Sequence, residues 1–271
     1  MQRILVPVDF SETAFRAARY AISIARQLQP ASITLFHAYG LPPSANATVI
    51  AMMPGNSPEY VHGVEIEMAK WKHELQSELV EYVQLDTHIS GLPFMEAVKE
   101  ATDNTLFALI VMGITGKSPL GQRFIGSNAL DVAHSTHVPL IIVPAGAEMR
   151  KIKRILFAYD RKQTLQPAQA KSILSLQNDF DGQIEVVHIT PGEPDNNPPA
   201  DLLQALALPP SHYRELQHTD LVTAIQEYAG ETHADLLLAV PGEYGLFAEL
   251  FHRSVTKKLV FNVGLPVVVI R

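Results

Sequence analysis

The sequence predicts an α/β protein made of two tandem, doubly wound parallel-sheet domains that form a pseudo-dimer. Three observations lead there. The segment Arg3-Ile4-Leu5-Val6-Pro7-Val8-Asp9 returns as Arg154-Ile155-Leu156-Phe157-Ala158-Tyr159-Asp160. Ile33–Ala38 returns at the same offset as Ile184–Ile189, and Val138–Val143 returns at a shorter offset as Leu265–Ile270. Within each copy, short apolar runs alternate with amphipathic stretches, the pattern of parallel β-α-β units. The expected domains span 1–145 and 151–271, with a linker over Ala145–Arg150.

The elements follow in order. Ile4–Val8 is nearly all apolar, as a strand covered on both faces should be. Asp9 ends it, Ser11 is a candidate N-cap, and Glu12 suits the first helical turn. Ala14, Ala17, Ala18, Ala21, Ile22, Ile24 and Ala25 then put an apolar stripe on a helix. Ile33–His37 is the second strand. Gly40–Gly63, rich in Pro, Ala and Met, reads as a long loop that the second copy has lost, with Met52, Met53, Pro43, Pro54 and Pro58 suggesting a lid or an interface. Val64–Tyr82 reads as a helix, and Val83–Ile89 admits a further strand. Phe94–Ala101 is helical, Leu106–Met112 is a strand, Ser127–Ala133 starts a helix, and Leu140–Val143 closes the domain. Leu265–Ile270 is apolar and is expected at a sheet edge that must be covered. That suggests pairing of the two domains through their final strands, and a homodimer of whole chains beyond it.

Composition narrows the function classes. Of the charged residues, 21 are basic and 28 acidic, giving a net charge of −7. Through Arg150 there are 10 basic and 14 acidic residues, and after it 11 and 14. Neither half has the basic excess of a nucleic-acid-binding face. There is no cysteine, which rules out disulfides and thiolate metal sites. No apolar run approaches the ~20 residues of a membrane span. Asp9 and Pro7 fall too early for a secretory signal, so a cytoplasmic location is expected.

One constellation carries chemistry. Directly after the strand ending at Met112 stand Gly113-x2-Gly116-x9-Gly126-Ser127, and a helix starts at Ser127. Glycine lets the backbone approach an anion closely, and the free N–H groups and dipole of a helix start favour negative charge. Asp9, His37 and Gly113 all fall at carboxyl ends of strands, where open α/β sheets bind ligands. Lys117 and Arg123 lie inside the motif, either to pair with phosphate or as solvated loop charges.

This combination resembles the universal stress protein family, as a tandem UspA-like member. The resemblance rests on Val6-Pro7-Val8-Asp9-Phe10-Ser11, on the glycine motif, and on Val138–Val143 closing the first copy. It implies a Rossmann-like, adenine-nucleotide α-hydrolase-like fold and, through the glycine motif, the subset of members that hold ATP. By likeness, Gly113 and Gly116 line the ribose and phosphates, and Gly126, Ser127 and Asn128 donate to the β- and γ-phosphates. Asp9 sits near the nucleoside, Pro7 and Val8 shape the adenine pocket, and Ala38 and Met112 touch the base. Mg2+ would accompany the triphosphate.

The second copy departs from the pattern. With Ser254 aligned to Ser127, Val240 replaces Gly113, Glu243 replaces Gly116 and Arg253 replaces Gly126. Gly242 and Gly245 are out of register, and Glu243 and Glu249 would repel a triphosphate. Asp160 matches Asp9 but reads as inherited helix-capping chemistry. The second half is therefore expected to bind no nucleotide.

Other candidates have plainer explanations. His37 and His188 recur at matched strand ends and read as hydrogen-bonded, half-buried structural histidines. His134 and His137, with Asp131, lack the partners of a recognised zinc pattern. No Gly-x-Ser-x-Gly elbow, Walker spacing or dinucleotide fingerprint is present. The leading expectation is an ATP-binding stress or regulatory protein with slow hydrolysis at most. The alternatives are a scaffold that binds a protein partner without nucleotide, with the glycines only shaping a turn, and an ATP-consuming enzyme, which would need a further acid or lysine beside the γ-phosphate.

Overall fold

The computed structural model describes residues 1–40, 57–114, 127–162, 164–195, 197–241 and 264–271. The first half contains β1 (Gln2–Pro7), α1 (Glu12–Ala25), β2 (Ala31–Gly40), α2 (Pro58–Gln76), β3 (Val83–Pro93), α3 (Phe94–Asn104), β4 (Leu109–Gly113), α4 (Ser127–Ser135) and β5 (Leu140–Val143). The second contains β6 (Arg154–Ala158), α5 (Pro167–Phe180), β7 (Gln183–Thr190), α6 (Ala200–Ala205), a 3-10 turn (Pro210–His212), β8 (Tyr213–Gln217), α7 (Leu221–Glu231), β9 (Leu236–Ala239) and β10 (Val267–Val269).

All ten strands form one sheet in the order β3-β2-β1-β4-β5-β10-β9-β6-β7-β8. Every pairing within a half is parallel, and β5 meets β10 antiparallel, with Ile141 opposite Val268. The chain leaves β1 towards β2 and β3, then returns to place β4 on the other side of β1. The reversal between β1 and β4 is the switch point of the first half, and β6 and β9 repeat it in the second. The expected fold is therefore present, and so is the expected pairing of the two halves through their final strands: β10 pairs with β9 of its own half on one side, and β5 of the first half covers its other side.

Two apolar layers sandwich the sheet. On one face, Ala17, Ala21 and Ile24 of α1, Met68, Trp71 and Leu75 of α2, and Ile173, Leu176 and Leu202 of α5 and α6 share one cluster. On the other, residues of α3, α4 and α7, such as Val98, Val132 and Ile225, share a second. Each cluster runs through both halves. The large side chains among them stabilise by roughly 1.5–3 kcal/mol each on full burial. The alanine stripe of α1 lets that helix lie close on β1 and β4.

The linker is fastened to both halves. Asp235, just before β9, pairs with Arg150 Nε at 2.7 Å and accepts the backbone N–H groups of Lys153 and Arg154 at 2.9 Å. Ile152 N–H donates to Gln27 Oε1 of the first half at 3.2 Å. Gln2 Nε2 donates to Asp179 Oδ1 at 2.8 Å.

Several element limits differ from expectation: α2 ends at Gln76 rather than Tyr82, β4 begins at Leu109 rather than Leu106, and two further differences have a clear cause. The helix expected from Val64 begins at Pro58, because Ser57 caps it by accepting Tyr60 N–H and Pro58 suits the first turn. The strand expected over Val83–Ile89 continues to Pro93 through pairing with the end of β2, where Gly40 faces Pro93. A β-carbon at Gly40 would lie 2.2 Å from the Leu92 carbonyl carbon, so only glycine fits that contact.

Candidate functional site

The first-half site begins where β1 ends. Val8 N–H donates to Phe36 O at 2.8 Å, and the chain then turns through Phe10, whose φ of 61° is left-handed. That conformation is costly for a bulky residue and persists where its surroundings hold it. Here the Phe10 ring lies 4.6 Å from the ring of His37 and edge-on to Trp71 at 5.6 Å. His37 is itself pinned, its Nδ1 donating to Val8 O at 2.7 Å. His188 repeats this bond to Tyr159 O at 3.0 Å. The structural role expected of both histidines is what they show, although His37 is buried rather than half-buried, at 9% exposure.

The turn delivers Asp9 and Ser11. Asp9 Oδ1 accepts the Ser11 N–H at 3.1 Å and the Ser11 hydroxyl at 2.5 Å. Ser11 Oγ also accepts Ala14 N–H at 3.2 Å, which makes it the N-cap of α1. Thr13 Oγ1 lies 2.9 Å from Ser11 Oγ. The end of β4 approaches the same turn so closely that a β-carbon on Gly113 would lie 2.4 Å from Thr13 O.

These elements enclose a cleft of about 130 Å³ at the switch point. Pro7, Val8 and Asp9 from β1 and its turn line it, with Ala38 from β2 and Met112 and Gly113 from β4. Asn128 brings in the first turn of α4, whose leading N–H groups have no partner within the helix. Seven of the ten residues expected at a nucleotide site are thus gathered around one cleft. Ser127 is the first residue of α4. Gly116 and Gly126, with Lys117 and Arg123, lie outside the described residues, as do Met52, Met53, Pro43 and Pro54.

Sequence reasoning missed several lining residues: Ser11, Thr13, Ala14, Phe94 and Ala129. The two hydroxyls had a readable signal, since they follow the strand-ending Asp9 on the same turn. Phe94 had none, because it reaches the cleft through the packing of α3 beside β2. Gly113 has a second reason to be glycine. Its missing β-carbon makes room for Thr13 O, a contact within the protein.

The second half repeats the framework and closes the cleft. Ile155 pairs with Leu236 as Ile4 pairs with Leu109, and carrying both registers forward sets Val240 at the place of Gly113. The equivalent space, lined by Tyr159, Asp160, Thr164, Leu165 and Val240 among others, is about 10 Å³. Leu165 and Val240 line what remains of it, and Val240 stands where Gly113 leaves room. Asp9 is exposed, whereas Asp160 is 2% exposed. Asp160 does not cap the next helix, as its sequence position suggested. Its Oδ1 accepts Lys162 N–H at 2.9 Å, and α5 starts later, behind Gln166.

At the place of Phe10 stands Arg161, which pairs with Asp195 at 2.6 Å and with Glu215 at 3.3 Å. Tyr213 beside them is buried, and its hydroxyl has no hydrogen-bond partner among the described residues. Burial, then the charge of Glu215, pushes its phenol up to about 12.

Larger cavities lie elsewhere. One of about 420 Å³ sits on the sheet face beside α3, lined by Arg3, Leu5, Thr34 and Asp86 among others. One of about 320 Å³ occupies the matching place in the second half, with Arg154, Leu156 and Glu185. They recur at matching places in the two halves and so follow from the shared fold. The small cleft has what they lack: the strand ends, the switch point and a helix N-terminus.

Among the described residues no group of three His, Asp or Glu side chains is placed to hold a metal, and no helix is long and apolar enough to cross a membrane.

Known proteins resemble this chain in architecture and, over part of its length, in sequence. A solved universal stress protein from Archaeoglobus fulgidus covers 99% of this chain and 96% of its own at a TM-score of 0.68, with 17% identity, a likeness of fold. A solved universal stress protein in complex with cAMP covers 52% of this chain and 96% of its own, with 24% identity and a TM-score of 0.36. Universal stress protein MJ0531 of Methanocaldococcus jannaschii is 27% identical over 148 residues, which is 52% of this chain and 81% of that protein. The model of the universal stress protein family matches residues 1–144, more than half of the sequence, and the chain belongs to that family.

Proposed function

We propose that this protein is an ATP-binding regulatory member of its family, that a single nucleotide sits in the first half, and that the second half keeps the fold without the ligand. The domains in this reading span 1–145 and 151–271. The observation that carries it is the contrast between the two switch points. The first opens a cleft walled by Asp9 and the start of α4, and the second is filled by Leu165 and Val240.

The residues present suit a nucleotide. Val8, Ala38 and Met112 offer apolar wall to a base, and the free N–H groups of α4 offer donors to phosphate. A cleft of about 130 Å³ is smaller than the ~300–1,000 Å³ of sites that enclose a whole small molecule. It takes the nucleoside end and leaves the phosphates towards α4 and the glycine segment. Among the described lining residues Asp9 is the one acid, so Mg2+ would travel with the phosphates rather than be held by a cluster of carboxylates. With no second acid or lysine among those residues to activate water, the chemistry proposed is binding, with slow hydrolysis at most.

The test is the nucleotide content of the full chain as purified, read by anion exchange after denaturation, beside Ala14→Leu. That variant puts into the open cleft the residue that helps to close the other one. ATP or ADP stoichiometric with the parent and absent from the variant supports the reading. Gly113→Val is the wrong tool, because its side chain would collide with Thr13 O whether or not a ligand binds.

The same contact favours a second reading, in which Gly113 serves packing alone and the protein is a scaffold for a protein partner. A parent that is empty and takes up no added Mg-ATP would decide for it.

A further inference from the structure

The cavity of about 420 Å³ lies away from the switch point, towards the amino-terminal ends of the first-half strands. Its floor is the face of β1, β2 and β3 that lies beneath α3. The registers set Arg3 beside Ser32, and Leu5 in a row with Thr34 and Asp86. α3 packs on β2 and β3 and lines the space with Ala97 and Ala101, whose small side chains leave it open. Glu100 lines it from the same helix.

The shape recurs in the second half, but the lining does not. Arg154 stands at the place of Arg3, Glu185 at that of Thr34, and Tyr228 at that of Ala101. There Arg154 donates to Thr232 O at 2.8 Å, and the Tyr228 hydroxyl crosses the groove to donate to Glu185. The arginine and the acid of that groove both have partners within the protein.

The first half lacks those bonds. Arg3, Asp86 and Glu100 line one cavity, and none of their side chains makes an ion pair or a hydrogen bond among the described residues. Ser32 is 5% exposed, and its hydroxyl is likewise unpartnered. A buried polar group without a partner is costly, so it marks a place where something else can supply the bond.

Opposite charges that line one space without meeting suit a ligand that carries both. Side chains stand roughly perpendicular to a sheet, and β1 and β3 lie two strand spacings apart, about 10 Å. The two charges of the ligand must therefore be separated by several bonds. Its anionic end meets Arg3, with Ser32 next to it as a second donor. Its cationic end meets Asp86 and Glu100. Leu5, Phe36 and Ala101 offer apolar surface to the chain between. A volume of about 420 Å³ falls within the ~300–1,000 Å³ of small-molecule sites.

We propose that this cavity is a second binding site, for a small zwitterion of the ω-amino-acid class, whose carboxylate and ammonium groups stand several carbons apart. The inference is independent of the nucleotide reading.

The experiment titrates the full chain calorimetrically with 6-aminohexanoate, and with hexanoate and hexylamine, each of which keeps one of the two charges. The parent is compared with Arg3→Gln, with Asp86→Asn combined with Glu100→Gln, and with Thr34→Glu combined with Ala101→Tyr, which imports the closing bond of the second half. A thermal melt accompanies each. A hydrogen bond to a charged group corresponds to about tenfold to a hundredfold in affinity, and the exposure of these charges sets the expectation at the low end. The parent should bind 6-aminohexanoate about tenfold more tightly than either analogue. Arg3→Gln should abolish its preference over hexylamine, the loss of both acids should abolish its preference over hexanoate, and the filled variant should bind none of the three. Arg3, Asp86 and Glu100 are exposed, so their variants keep the fold and decide the matter even if the filled variant does not fold. A parent that binds none of the three probes, or that binds an analogue as tightly as the zwitterion, would overturn the proposal. So would charge variants that keep the parent's affinities.

Discussion

Replacing Gly113 by alanine separates two reasons for a glycine at the end of β4. The added β-carbon would lie 2.4 Å from Thr13 O and 2.8 Å from Thr13 C. Both are backbone atoms of the first turn of α1, so no side chain can rotate away, and either α1 or β4 must shift. Overpacking of this kind costs about 1–3 kcal/mol, and a backbone obstacle belongs at the upper end. Gly113 does not have a positive φ, so alanine returns about 0.4–1 kcal/mol by restricting the unfolded chain. The net expectation is a loss of about 2 kcal/mol, or roughly 4–8 °C in melting temperature for a protein of this size. The assay is thermal and urea denaturation of nucleotide-free protein. Gly146→Ala is the control, since nothing lies within 4 Å of its added carbon. A Gly113→Ala variant that melts within about 1 °C of the parent without nucleotide, yet no longer binds ATP, would refute the packing argument. It would return the glycine to the ligand.

Two further outcomes follow from the second half. Tyr213→Phe removes a buried hydroxyl that has no hydrogen-bond partner among the described residues, so at neutral pH the variant should be as stable as the parent or up to about 1 kcal/mol more stable. Because the folded phenol is raised from 10.0 to about 12, the unfolded chain ionises first, and the parent loses stability as pH climbs from 10.0 towards 12. Tyr213→Phe should lose less over that window in urea titrations, and superimposable alkaline profiles would contradict the assignment. Asp235→Ala strips the linker of one ion pair and two backbone hydrogen bonds. It should cost about 2 kcal/mol, a figure held down because Arg150 is 44% exposed. Chemical denaturation reads it, and an unchanged midpoint would show that the linker needs no clamp.

Much of the fold could be read from the sequence because its signals are local or repeated. Arg3–Asp9 and Arg154–Asp160 announce β1 and β6, and the apolar run before Gly113 announces β4. Ser11 reads as a cap because the capping bond spans three residues. What was not legible depends on chain brought from far away. β3 extends to Pro93 only because β2 offers a partner there. The start of α2 was legible but masked: Ser57-Pro58 is a good helix start set inside a stretch whose prolines and methionines read as loop. At the candidate site the strand ends were visible, while the closeness of Thr13 O to Gly113 and the entry of Phe94 arise from packing. The fate of Asp160 turned on its neighbours. The same residue that is presented at Asp9 is swallowed once Arg161 and Lys162 replace Phe10 and Ser11.

The antiparallel seam between β5 and β10 has a consequence for how such a protein can change. Two separate, identical chains joined along that seam would obey strict two-fold symmetry, so any substitution that closed one cleft would close the other. Joining the two copies in one polypeptide keeps the seam and removes the symmetry. Dilution cannot part the copies, because the linker holds the effective concentration of each near the other at a high level. One copy is then free to fill its cleft with Leu165 and Val240 and to gain packing there, while its neighbour stays open. Covalent linkage thus turns a matched pair into an unequal one, with one copy keeping an open cleft and the other providing half of a common sheet.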